Sequence, residues 1–118
     1  STAESVKDEL LSFLIEQKRA GKTVVGYGAA AKGNTLLNYA GIKNDLLAFV
    51  CDAAKAKQGK YLPGSHIPIV SPAVLSNGKV DYLLVLPWNI AAEVKAQNST
   101  LMADGTRFVT AIPRLKVF

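Results

Sequence analysis

The run Val24-Val25-Gly26-Tyr27-Gly28-Ala29-Ala30-Ala31-Lys32-Gly33-Asn34-Thr35 holds the residues whose types and spacing suit chemistry best. A β-branched stretch meets a glycine-rich turn that opens into a helix, which is how a phosphate cradle is built. Gly26 and Gly28 can take φ > 0 and let the backbone approach an anion closely. The helix that follows aims its unpaired N–H groups, with their partial positive charge, at the same spot. A phosphate-bearing ligand is the chemistry this segment predicts.

The letters fit two known templates imperfectly. Gly26-x-Gly28-x-x-Ala31 matches a dinucleotide fingerprint with alanine in third place, and Asp52, after the apolar run Leu46 to Cys51, stands where a ribose hydroxyl is usually bound. Gly28-x-x-x-x-Gly33-Asn34-Thr35 is a near miss for a P-loop. Asn34 occupies the lysine position and Lys32 comes two places too early, so the charge needed on β- and γ-phosphates is missing. A tight strand-to-helix turn that binds nothing stays open beside these readings.

The elements that must position this segment follow from periodicity. Val6, Leu10, Phe13 and Leu14 recur at helical spacing, which predicts an amphipathic helix over about residues 3–19, with Ser1 and Glu4 at capping-box spacing and Gly21 as its stop. Thr23 to Tyr27 reads as a short buried strand, Lys32 to Tyr39 as a helix stopped near Gly41, and Leu46 to Cys51 as a second strand. A polar loop runs from Ala53 to His66 before the strand Ile67 to Val70, which Pro68 marks as an edge. Ser71 and Pro72 open a brief helix. Tyr82 to Leu86 is an almost wholly apolar strand, Ile90 to Met102 a helix, Phe108 to Ile112 the last clear strand, and Leu115 to Phe118 a candidate for one more.

Alternating helices and continuously apolar strands predict an α/β fold: a Rossmann-like three-layer sandwich with helices on both faces of a doubly wound, mostly parallel sheet. Right-handed crossovers give about five strands in the order 3-2-1-4-5. Ligands bind such sheets beyond the carboxyl ends, where strand order reverses. Three segments converge there: Tyr27 to Lys32, the strand end at Asp52 with the lysine-rich loop behind it, and Pro87-Trp88-Asn89.

Composition narrows the partners. The 118 residues make a single domain, 1–118, of which 49% are hydrophobic and 19% charged, as in ordinary globular units. The net charge of +5 is spread rather than striped, and the few aromatics do not alternate with basic residues, which argues against nucleic acid. A basic surface that draws in a small anion is more economical. Cys51 lies in an apolar strand and reads as a buried, inert thiol; one Cys and one His predict neither a disulfide framework nor a metal site. No apolar run approaches membrane-spanning length and no signal pattern opens the chain, so no membrane partner is expected and a reducing cytoplasm is the default. The abrupt start, inside a helix cap, predicts a domain cut from a longer chain.

Three blocks of the chain resemble the C-terminal domain of the nucleotide-sugar C-methyltransferases. They are Gly26 to Tyr39, Lys57 to Ile69 and Leu86-Pro87-Trp88-Asn89, in that family's order and roughly its spacing, so that the likeness covers nearly the whole chain. The resemblance implies a parent of three parts: a cysteine-rich zinc module, a central S-adenosylmethionine domain that holds the base, and this substrate-binding domain. It implies that zinc and S-adenosylmethionine belong to the absent parts and that this domain binds no cofactor. No catalytic residue is then expected here. The implied partners are a nucleotide-diphosphate sugar and the S-adenosylmethionine domain of the same chain.

On that resemblance, backbone N–H groups of Gly28, Ala29, Ala30 and Ala31 beyond Tyr27 would face a diphosphate, Lys32 would add charge, and Asn34 or Thr35 a hydrogen bond. Trp88, after Pro87, would stack on a base or sugar with Asn89 reading an edge, and Asp52 would hold a hydroxyl. Lys60, Tyr61, Ser65 and His66 lie in a loop able to close over the ligand. Plainer roles stay open: Trp88 packing under a helix, Asn89 as a helix cap, His66 as a surface histidine with no carboxylate partner, Tyr39 and Tyr61 as core-edge aromatics, and Lys55, Lys57 and Lys60 as a solvated face. An interaction module that packs on the rest of its parent without binding ligand is a further alternative.

Overall fold

The computed structural model describes residues 2–118, so the capping role expected of Ser1 lies outside the described residues. The first helix, α1 (Ala3–Arg19), starts at Thr2, whose hydroxyl accepts the Ser5 N–H at 3.2 Å. Gly21, at φ +73, follows the cap residue Ala20 and lets the chain turn away. β1 (Val24–Tyr27) then leads through a short turn into α2 (Ala31–Ala40), which Gly41 ends in a left-handed conformation. The remaining strands are β2 (Val50–Cys51), β3 (Ile69–Val70), β4 (Tyr82–Val85), β5 (Arg107–Thr110) and β6 (Lys116–Val117). Between β4 and β5 lie two short helices, α3 (Ala91–Gln97) and α4 (Ser99–Ala103).

The strands form one sheet in the order β3-β2-β1-β4-β5-β6. All pairings are parallel except the last, where β6 runs back against β5. The predicted order 3-2-1-4-5 is therefore present, with β6 added from the candidate segment at Leu115 to Phe118. Pro68 precedes β3 at the outer edge, where its missing N–H costs no ladder bond.

The two faces of the sheet are read directly from alternation along each central strand. Val24, Leu84 and Val109 point into one core with Leu10, Leu14 and Leu37 from α1 and α2. Val25, Leu83, Val85 and Phe108 point into the other with Ala91 and Val94 from α3. Both faces are buried, so the strands carry apolar residues on both sides, which is the continuous pattern seen in sequence.

Several expected elements are shorter than predicted: β3 keeps only Ile69 and Val70 of Ile67 to Val70, and two others are cut for a visible reason. Leu46 and Leu47 belong to a turn in which both N–H groups bond to the Lys43 carbonyl, each at 3.1 Å. Leu47 is fully buried from that turn, so its apolar character reported burial rather than strand. The predicted helix over Ile90 to Met102 is broken at Asn98, whose side-chain Nδ2 donates to the Val94 carbonyl at 2.8 Å and ends α3. Short polar side chains that bond the backbone compete in this way with helix continuation.

Candidate functional site

The carboxyl ends of β1 and β4 part where strand order reverses, and the chain after each strand stands over this gap. There a crevice of about 240 Å³ is lined by Tyr27, Gly28, Ala29 and Ala30 after β1, Asp52, Ala53 and Lys57 after β2, and Pro87, Ile90, Val94 and Gln97 after β4. Each of the three expected segments contributes to this lining, but Ala31, Lys32, Trp88 and Asn89 are not part of it. A wider opening of about 550 Å³ lies at the other end of the sheet, between Leu75–Val80 and α4. Two of its polar groups are engaged locally: Lys79 pairs with Asp81 at 3.9 Å, and the Thr106 hydroxyl donates to the Val80 carbonyl at 2.6 Å.

The glycines of the β1–α2 segment have three separate jobs. Gly26 is an ordinary extended strand residue, contrary to the expectation of φ > 0, and a Cβ on it would lie 2.9 Å from Cγ2 of Val50. Its role is lateral packing in the sheet. Gly28, at φ +90, makes the turn, and its N–H donates to the Cys51 carbonyl at 2.7 Å. Gly33 is buried in the first turn of α2, where a Cβ would lie 2.6 Å from that of Leu86. The close helix-to-sheet contact that the dinucleotide fingerprint places at its third glycine is thus made here by Gly33 and not by Ala31.

The N–H groups expected to face an anion divide into two sets. Those of Gly28 and Ala29 are spent inside the fold, the second on Oδ2 of Asp52 at 2.8 Å. Those of Ala30, Ala31, Lys32 and Gly33 have no acceptor among the described residues. α2 has no side-chain N-cap, because Ala30 stands in the cap position with φ −84 and ψ 148, and no acidic residue lies in its first turn. A lysine does, against the helix dipole. Lys32 is exposed, with Nζ 6.0 Å from the Trp88 ring centroid, so it spans from α2 to the turn after β4. Oδ1 of Asn34, one residue beyond Gly33, is buried without a hydrogen-bond partner. Thr35 satisfies its own hydroxyl on the Ala31 carbonyl at 3.0 Å.

Asp52 is occupied by the fold itself. Oδ2 accepts from Ala29 and Oδ1 from the Ala54 N–H, each at 2.8 Å, while Gln58 Nε2 donates to its carbonyl at 2.8 Å. Lys57, read in sequence as part of a solvated face, is half exposed but also reaches the turn after β1: Nζ donates to the Ala29 carbonyl at 3.1 Å and lies 3.8 Å from Oδ2 of Asp52. The only hint in the sequence was an acid at a strand end followed by a lysine five places on.

The other expected residues are dispersed. Pro87 packs its ring on Gly28, and Trp88 opens a single 3-10 turn, Trp88–Ile90, with Asn89 exposed on it. Asn89 does not cap α3, whose cap position is Ile90 without a side-chain bond. Beyond Lys57 the chain runs back along the outer edge of β3, so that Lys60 and Tyr61 lie beside Ile69 and Pro68 rather than at the crevice. The following turn packs on the last turn of α2, where Asn38 Nδ2 donates to the Pro63 carbonyl at 2.9 Å. His66, at φ +58, stands with its ring 6.5 Å from that of Tyr61, away from the crevice lining.

Cys51 is fully buried at the end of β2, and burial pushes its thiol from 9.0 up to about 12. Among the described residues no three of His, Cys, Asp and Glu come together to hold a metal ion, and no helix is long and apolar enough to cross a membrane.

Comparison with known proteins finds a relative and a matching family. C-methyltransferase NovU of Streptomyces niveus is 43% identical over 97 residues, which is 82% of this chain and 23% of that protein. The chain therefore spans about a quarter of the length of that relative. Residues 1–113 match the C-methyltransferase C-terminal domain, and the chain belongs to that family.

Proposed function

We propose that this domain holds the diphosphate of a nucleotide-sugar at the first turn of α2, presenting the sugar to a separate S-adenosylmethionine domain of a longer C-methyltransferase. The single observation that carries the reading is the open end of α2. Among the described residues four backbone N–H groups lack acceptors there, beside a lysine and without a side-chain cap, at the switch point of the sheet. Leaving a helix start uncapped forgoes about 1 kcal/mol, and a cation in the first turn costs about 0.3–1 kcal/mol more. A bound diphosphate offsets both, because it accepts from the N–H groups and pairs with Lys32. Trp88 beside Lys32 gives a base or sugar face something to stack on.

A dinucleotide of the nicotinamide type fits less well. Both Asp52 carboxylate oxygens already accept backbone N–H groups, so the acid supports the loop where that reading needs it for ribose. The methyl donor, and the zinc implied for such parents, belong in this reading to other parts of the chain. The contribution of these residues is to bind and orient the sugar diphosphate.

Titration of uridine or deoxythymidine diphosphate into the full-length protein tests the proposal. Binding with a dissociation constant of about 1 mM or tighter, with amide protection over residues 30–33, is expected. No binding at that concentration overturns it, and NAD binding in its place would transfer the crevice to the dinucleotide reading.

A further inference from the structure

We propose that Lys57 and Asp52 clamp the Ala29 residue from both ends, and that Lys57 is the positioning residue that keeps the start of α2 open. The Ala29 N–H is held by Asp52 Oδ2 at 2.8 Å and its carbonyl by Lys57 Nζ at 3.1 Å. Asp52 is in turn tied to its own loop through the Ala54 N–H and the Gln58 amide, each at 2.8 Å. The loop after β2 therefore grips the loop after β1 one residue before the helix cap position.

The grip has a geometric consequence. A residue fixed at both its donor and its acceptor cannot rotate its flanking peptides, so the direction of the next N–H groups is set in advance. Those groups belong to Ala30 through Gly33, which have no acceptor among the described residues. Without Lys57, the Ala29 carbonyl and Asp52 lose their cation, and the turn can reorient toward water. The Lys57 side chain is 50% exposed, so it also gives solution ions a route to weaken the clamp.

The effect on ligand affinity rests on the diphosphate reading, but the clamp itself does not, and the test separates them. Hydrogen–deuterium exchange mass spectrometry over residues 26–34 of the full-length protein is compared for wild type, Lys57→Met and Lys57→Arg. Exchange of the Ala29 amide is expected to accelerate about tenfold in Lys57→Met, the scale of one charge-assisted hydrogen bond. Lys57→Arg, which can reach both acceptors, should restore it. In the same proteins the dissociation constant for uridine diphosphate should rise about tenfold in Lys57→Met and recover in Lys57→Arg. Unchanged exchange at Ala29 overturns the clamp, and weaker diphosphate binding with unchanged exchange would make Lys57 a direct ligand contact. If wild type binds no diphosphate, the binding reading fails while the exchange data still decide the clamp. Because Lys57 lies at the surface, folding of both variants is expected and is verified by circular dichroism.

Discussion

Gly33 and Leu86 approach so closely that a Cβ on the glycine would sit 2.6 Å from the leucine Cβ, with Leu86 Cδ2 and Cγ each at 3.3 Å. The contact seats the first turn of α2 on the strand end after β4, and neither partner has room to yield. Leu86 is buried, so its side chain has no solvent to move into. Gly33→Ala is expected to destabilise the fold by about 1–3 kcal/mol, the usual cost of overpacking. It should also displace the first turn of α2, which carries the open N–H groups. Chemical denaturation measures the first effect; a Gly33→Ala protein as stable as wild type would show that α2 floats rather than locks.

The cap position of α2 offers a trade between stability and binding. Ala30 already has the extended backbone that a capping side chain requires. Ala30→Asp should therefore stabilise the domain by about 0.5–2 kcal/mol, read as a higher midpoint in thermal unfolding. On the proposed reading the same carboxylate would compete with the diphosphate for these N–H groups and repel its charge, so affinity should fall by about tenfold or more. Ala30→Ser gives the milder, uncharged version of both effects. A gain in stability with no loss of diphosphate affinity would place the ligand elsewhere.

A Lys32 variant tests whether the proposed site acts in binding or in turnover. Its ammonium lies near Trp88 and on the helix that carries the open N–H groups, with no acid beside it in that first turn. On the proposed reading, Lys32→Ala in the full-length protein should raise the Michaelis constant for the nucleotide-sugar about tenfold while changing turnover less than about threefold, the pattern of lost uniform binding. A variant that loses turnover at unchanged Michaelis constant would show that Lys32 acts on the reacting centre.

Much of this arrangement was legible in the sequence, because parallel sheets bury both strand faces and leave an unmistakable apolar run at Tyr82 to Leu86. Pro68 announced the edge, and the order of strands followed from right-handed crossovers. What remained hidden depends on which way a residue faces. Lys55, Lys57 and Lys60 are equivalent letters in a polar loop. The turn in which Lys57 N–H bonds the Ala54 carbonyl, at 2.9 Å, returns that one lysine to Ala29. Gly26 and Gly28 were equally ambiguous, since a glycine can serve a positive φ or a tight lateral contact. Only the neighbouring Val50 on β2 assigns Gly26 to the second. Asn98 looked like any helix residue until its side chain met the Val94 carbonyl.

The buried thiol predicts an alkaline limit to stability. Cys51 is fully buried in β2, and desolvation raises its pKa from 9.0 to about 12 because the thiolate cannot be hydrated there. Well below pH 9 both folded and unfolded chains carry the neutral thiol, so this group imposes no pH dependence there. Between about 9 and about 12 the unfolded chain ionises while the folded chain does not, so the unfolded state gains and stability falls as pH rises. The slope approaches about 1.4 kcal/mol per pH unit once the unfolded thiol is fully ionised. Lysines and tyrosines titrate in the same window, so the measurement is the difference between wild type and Cys51→Ala. The variant should start less stable, having lost packed volume, and the gap should narrow as pH rises from 9 toward 11. Parallel curves would mean that the folded thiol ionises as readily as the unfolded one. In the native protein the same burial should leave Cys51 unreactive toward iodoacetamide at pH 8, with alkylation appearing only on denaturation.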